Sequence, residues 1–105
     1  MVEVQFFIPL TGNDGNLFSA DHHWQFLLTV SVLFNGATFL PGETEGSWRT
    51  ADGAEYHDRC RVLMIAVPSL TVAGPELREV AELARRHYGQ LAILFRYLGV
   101  SEVYE

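Results

Sequence analysis

The run VLMIAV, residues 62 to 67, is apolar at every position and is closed by Pro68. It is far shorter than the roughly 18 residues that a membrane helix requires. With a proline stop behind it and charged residues ahead of it, it reads as a strand buried on both faces. Such a strand has to lie inside a sheet, so the remainder of the chain must supply the strands beside it and a cover above.

The supply is visible. In VEVQFFIPL, Val2, Val4, Phe6, Ile8 and Leu10 share one face with period two, which predicts a first strand. TGNDGN, residues 11 to 16, ends it with turn residues. Ser19 is a helix N-cap and Asp21 places a negative charge in the first turn. With Asn35-Gly36 as a stop, a helix is expected over Ala20 to Phe34. Its stripe is Trp24, Leu27, Leu28, Ser31 and Phe34, yet Phe26, Val30, Val32 and Leu33 fall outside it, more apolar surface than a one-sided helix needs. A short strand near Ala37 to Leu40 and a turn at 41 to 46 lead to SWRTADGAEYHDRC.

Asp52-Gly53 between strand-like segments is a hairpin signal. A two-residue turn would set Trp48 opposite His57 and Arg49 opposite Tyr56. Trp48, Thr50, Glu55 and His57 would then share one face, and Arg49, Tyr56 and Asp58 the other. GPELREVAELARRHYG predicts a second helix with Pro75 at its first position and Gly89 at its end; Leu77, Val80, Ala81, Ala84 and Tyr88 face inward. Glu82, Arg85, Arg86 and His87 read as a solvated face, with Glu82 pairing Arg86 one turn on. QLAILFRYL, residues 90 to 98, is the last expected strand.

The order is that of a ferredoxin-like βαββαβ α+β sandwich, an antiparallel sheet with two helices on one face, and the 105 residues are expected to form one such domain. Its far face would be open, so a homodimer joined sheet to sheet is expected. The order of elements, the IPL closing strand one and GSWRTADG followed by a charged and then an apolar strand resemble a group of small bacterial ferredoxin-like proteins of unknown function over about residues 2 to 67. That resemblance implies the fold and carries no catalytic residue. More loosely, the architecture resembles the dimeric α+β barrel proteins, among them small monooxygenases, isomerases and haem-handling enzymes, and a fold does not fix a function.

Composition narrows the classes of function. Thirteen acidic against seven basic side chains give a formal charge of −6, the wrong sign for nucleic acid. With no signal peptide and no apolar run long enough to span a bilayer, no membrane partner and a cytoplasmic location are expected. Cys60 is the only cysteine, so no internal disulfide and no cysteine-built zinc site can form, and it reads as a small buried hydrophobe.

His22 and His23 point about 100° apart on a helix and cannot chelate one ion as an i, i+4 pair does. They are expected to be polar residues in an exposed first turn, with His22 also a candidate base, held neutral by the helix N-terminus. No metal and no cofactor is expected. EYHDRC offers two clusters. Trp48 with His57 would hold a planar ligand with Glu55 orienting the imidazole, while Arg49 with Tyr56 and Asp58 would bind a carboxylate or form a cross-strand ion pair.

Two readings follow. One is a non-enzymatic homodimeric module that binds a small molecule or a protein partner through Trp48, Arg49, Tyr56 and His57. The other is a cofactor-independent isomerase or monooxygenase of the α+β barrel type with His57 or His22 as base.

Overall fold

The computed structural model describes all residues but 35, 50, 98, 99 and 105, and for 48, 56, 70 to 72 and 100 to 103 it describes the fold alone. The doubly apolar run is the C-terminal half of a long strand, β4 (Glu55–Val67), and everything else in the sheet is arranged around it. β1 (Val2–Pro9) pairs antiparallel along it, Val2 opposite Val67 through to Pro9 opposite Cys60. On the other edge β2 (Thr38–Phe39) pairs with its C-terminal half and β3 (Thr44–Arg49) with its N-terminal half. β5 (Ile93–Tyr97) flanks β1, and β6 (Val100–Tyr104) flanks β5, giving the order β2-β4-β1-β5-β6 with β3 on β4. β1 and β4 are central, as the ferredoxin-like pattern requires. The sixth strand was not expected: position 97 pairs with 100, so it is a hairpin return after the last strand foreseen.

The helices α1 (Ala20–Phe34) and α2 (Leu70–His87) cover one face. Between them and the sheet lie Val4, Phe6, Ile8, Leu63, Ile65, Val80 and Phe95, all but fully buried, with Phe6 and Phe95 stacked at 5.2 Å. α1 has the bounds expected of it, and the His22 N–H bonds to Ser19 Oγ at 3.1 Å, the N-cap. The expected stop lies partly outside the described residues, at Asn35. α2 begins earlier than expected, because the Ala73 N–H already bonds to the Ser69 carbonyl at 3.0 Å, so Pro75 sits inside the helix. As the sixth residue of the helix Pro75 lies past the tolerant first turn: it removes one helical hydrogen bond and its ring crowds the carbonyl four residues back. α2 ends as expected at Gly89, which has a φ of 62°. The Gln90 N–H bonds to the Arg85 carbonyl at 2.8 Å and the Gly89 N–H to the Arg86 carbonyl at 3.3 Å, the two bonds of a Schellman cap.

Two faces differ from expectation. α1 buries His23, Phe26 and Val30, with Leu27 and Phe34 half-buried beside them, and turns Trp24 and Leu28 outward. The sheet's far face is less open than its sequence suggests. Val62 is only 8% exposed and Phe7 and Met64 are half-buried. Arg96 lies over the Phe7 ring at 5.5 Å while donating to Gln5 Oε1 at 2.7 Å. The apolar excess is therefore on α1 more than on the sheet.

Candidate functional site

β4 outruns β1. Pro9 is the last β1 residue to pair, opposite Cys60, so residues 55 to 59 and the β3 strand beside them overhang the end of the sheet as a hairpin. On the other side of β1, β5 pairs only at Val4, Gln5 and Phe6, so β1 and the approach to β5 part company from Phe7 onward. The turn after β1 is closed by bonds from the Gly12 N–H to the Asn16 carbonyl at 2.9 Å and from the Asn16 N–H to Asp14 Oδ1 at 2.9 Å. The Asn16 N–H and then its Nδ2, which donates to Asp14 Oδ2 at 3.1 Å, hold the Asp14 carboxyl below its ordinary range. Asn13 Nδ2 then donates to the Gly89 carbonyl at 3.0 Å and pins the turn to the capped end of α2.

Hairpin, turn and the segment 90 to 94 enclose a groove of about 910 Å³, within the roughly 300 to 1,000 Å³ range of small-molecule sites. Phe7, Pro9, Cys60, Leu91 and Leu94 give it apolar surface, and Thr11, Asn13, Ser47 and Gln90 give hydrogen-bonding groups. Glu45, Asp52 and Asp58 line it as well, together with His57. The lining includes no arginine, and the chain has no lysine. Five of the seven arginines are engaged elsewhere: Arg49 with Glu55 at 3.4 Å, Arg59 with Glu43, Arg61 over Phe39 at 4.4 Å, Arg85 and Arg86 with Glu82; Arg96 lies behind the lining Phe7 and is bonded to Gln5. The groove thus suits neutral or cationic groups and lacks what phosphate binding needs. Cys60 is an inert part of the lining, since burial, and then the Asp58 charge, push its thiol up to about 11.

The hairpin register is one residue from the one expected. Arg49 pairs with Glu55, Trp48 with Tyr56 and Ser47 with His57. The cause is the turn chemistry: the Ala54 N–H bonds to Asp52 Oδ1 at 3.3 Å and Gly53 takes a φ of 91°, a side-chain-closed turn that leaves five residues, 50 to 54, between the last paired positions. Trp48 and His57 are therefore not opposed. Arg49 moves to the side of Glu55 and His57, and Glu55 bridges them, 3.4 Å from Arg49 Nη2 and 3.6 Å from His57 Nε2. The side chains of Trp48 and Tyr56 lie outside the described residues.

His22 and His23 are elsewhere, in a cluster that sequence reasoning missed. His23 is 6% exposed, and its Nδ1 and the Tyr88 hydroxyl share a hydrogen bond of 2.8 Å. His22 stacks on Phe18 at 4.9 Å and on His87 at 3.9 Å. His22 Nε2 donates to the His87 carbonyl and His87 Nε2 to the His22 carbonyl, each at 2.7 Å. The first turn of α1 is thus clamped to the last turn of α2. The exposed first turn expected for this pair is corrected for His23, and the solvated setting expected for His87 is corrected with it. The spacing of histidines across two helices carried no signal, because the pairing is tertiary. Among the described residues, no group of three or more His, Cys, Asp or Glu side chains is placed to hold a metal. No described helix is long and apolar enough to cross a membrane.

No family model matches the chain, and no curated protein matches it. Two solved structures share its fold: a phage SAM lyase in complex with S-methyl-5'-thioadenosine, with a TM-score of 0.70, and the phage SAM lyase in the apo state, with a TM-score of 0.67. Each alignment covers 98% of this chain and 86% of that chain at 12% identity. The likeness is one of fold.

Proposed function

We propose that this chain is a homodimeric module that binds a small molecule in the groove between the β3–β4 hairpin, the turn at 11 to 13 and the segment 90 to 94. The observation that carries the reading is the groove itself, about 910 Å³, lined by both apolar and acidic residues. Of the binding residues expected from sequence, His57 lines it, and Arg49 reaches it only through Glu55. The ligand class is a neutral or cationic molecule with a flat apolar part, because three carboxylates and no arginine line the space. The S-methyl-5'-thioadenosine held by the phage SAM lyase is a molecule of that class, which makes nucleoside thioethers and their sulfonium forms the first to try.

The test is a thermal-shift and calorimetric titration of S-methyl-5'-thioadenosine and S-adenosylmethionine against adenosine 5'-monophosphate. Ligand at about a hundred times its dissociation constant should stabilise the fold by about 2.7 kcal/mol. Leu94→Arg, which puts a long charged side chain into the lining of the groove, should abolish the effect. Preferential stabilisation by the phosphate, or binding untouched by Leu94→Arg, would sink the reading.

An enzymatic role is the second reading, and one observation favours it. His57 lines the groove, and the Glu55 carboxylate stands 3.6 Å from its Nε2, near enough to stabilise a protonated ring but too far for a hydrogen bond. If bound ligand is converted, His57→Ala should cut turnover by about 10² to 10⁴ while leaving binding within a few-fold.

A further inference from the structure

We propose that the outward face of α1 is the surface through which two copies of this chain pair, antiparallel, about a two-fold axis. This locates the homodimer of the functional reading above and rests on it. The inner face of α1 is centred on His23, Phe26 and Val30. Directly opposite, at spacings of four, stand Trp24, Leu28 and Val32, which are 56%, 50% and 83% exposed. Together they leave on the order of 400 Å² of apolar surface in water, the size at which the largest patch on a monomer is commonly functional. Two copies joined here would bury about twice that, and with the stems of Gln25 and Thr29 the contact reaches the lower bound of about 1,000 Å² for a specific interface.

The occupant follows from charge and symmetry. Each copy carries −6, so most surfaces of one copy repel the other. α1 is the exception: its only Asp, Glu, Lys or Arg is Asp21. The residues beside the stripe, Gln25 and Thr29, are uncharged and are engaged within the helix, Gln25 Nε2 on Asp21 and Thr29 Oγ1 on the Gln25 carbonyl, both at 3.0 Å. In an antiparallel pair Leu28 lies on the axis and the large Trp24 of each copy meets the smaller Val32 of the other, a self-complementary fit. The two Asp21 side chains then sit at opposite ends of a helix about 20 Å long, well beyond the Debye length of about 8 Å at physiological salt. A lipid surface fits less well. Helices that lie on membranes carry Lys and Arg on their polar face, and α1 has neither.

Sedimentation equilibrium of the full chain tests this at about 100 µM, above the micromolar dissociation expected of so small a contact. The wild type should have about twice the 11.8 kDa chain mass. Val32→Glu, at a position too exposed to matter for folding, should have the chain mass with an unchanged circular dichroism spectrum. Leu94→Glu, on the far face of the sheet, should remain dimeric. A wild-type monomer at that concentration would overturn both the dimer and this surface, and flotation of that monomer with phosphatidylcholine vesicles would assign the stripe to lipid. A dimer that survives Val32→Glu, or that is lost in Leu94→Glu alone, would keep the dimer and overturn the surface.

Discussion

The two helices cover the same face of the same sheet, and they do so with opposite chemistry. α2 buries Ala73, Leu77, Val80, Ala81 and Ala84 and carries six charged side chains on the rest of its circumference. Glu82 binds Arg85 Nε at 2.9 Å and Arg86 Nε at 3.2 Å, so its outer face is laced to itself. α1 buries Phe26 and Val30 and turns Trp24, Leu28 and Val32 to water. An amphipathic helix states in its sequence which side is inside. A helix that is apolar all round does not, and a tertiary contact decides. For α1 that contact is the clamp at its first turn, where the Tyr88 hydroxyl gives His23 a buried partner and so turns a polar residue inward.

This contrast makes its sharpest statement about α1. Phe26→Ala should destabilise the chain by about 3–5 kcal/mol, because it empties a fully buried site, whereas Leu28→Ala should change the stability of the dilute monomer by about 0.5 kcal/mol or less. Urea denaturation at submicromolar protein measures both. Equal losses would mean that the inner face of α1 has been assigned to the wrong residues.

Next in size is Tyr88→Phe, which leaves His23 Nδ1 buried without its partner and should cost about 1–3 kcal/mol. Burial holds the Tyr88 hydroxyl protonated well beyond its ordinary range, so the loss should not vary between pH 7 and 9.

Acid should reveal the clamp by another route. Burial first, then the charge of Arg61 and the neighbouring His22 and His87, lower the His23 pKa below its ordinary 6.5; Tyr88, Phe18 and Phe39 complete its surroundings. The unfolded chain therefore takes up the His23 proton before the folded chain does. Stability is at its full value above about pH 6.5, falls as pH drops below it, and levels off beneath the folded pKa. In His23→Gln that step should disappear from the pH profile of the unfolding midpoint.

The smallest effect belongs to α2. Arg85, with Arg86 and a hydrogen bond from Tyr104, holds the Glu82 carboxyl down at about 2. The stability it contributes is complete above the ordinary carboxylate range near 4.5 and is lost as pH falls towards 2. Because the pair faces solvent, Glu82→Gln should show as a slight flattening of the acid limb, weaker still in 1 M salt.

What could be read from the sequence follows the same division. β1, the apolar half of β4 and the inner face of α2 have periods that local residues state outright, and each was legible. The bounds of α1 were legible from Ser19, while its orientation was not. The hairpin was legible from Asp52-Gly53, but its register turned on whether the Asp52 side chain would close the turn, and that competition moved every pair by one residue. β6 was missed because Val100 to Tyr104 is short and polar enough to pass for a tail. At the groove, His57 was named from the sequence. The turn at 11 to 13 and the segment 90 to 94 were not, since nothing local ties Asn13 to Gly89, 76 residues away.

The central place of β1 bears on how the chain comes to be folded as it is made. Its partners are residues 60 to 67 on one side and 95 to 97 on the other, so β1 is flanked on both edges only by segments made much later. Until Tyr97 is available, one edge of β1, with the apolar Val4 and Phe6, has no strand beside it. Closing loops of that length is slow relative to forming either helix. A state in which residues 60 to 67 have paired with β1 and 95 to 97 have not therefore leaves one edge of β1 open to strands of other chains, a form exposed to aggregation.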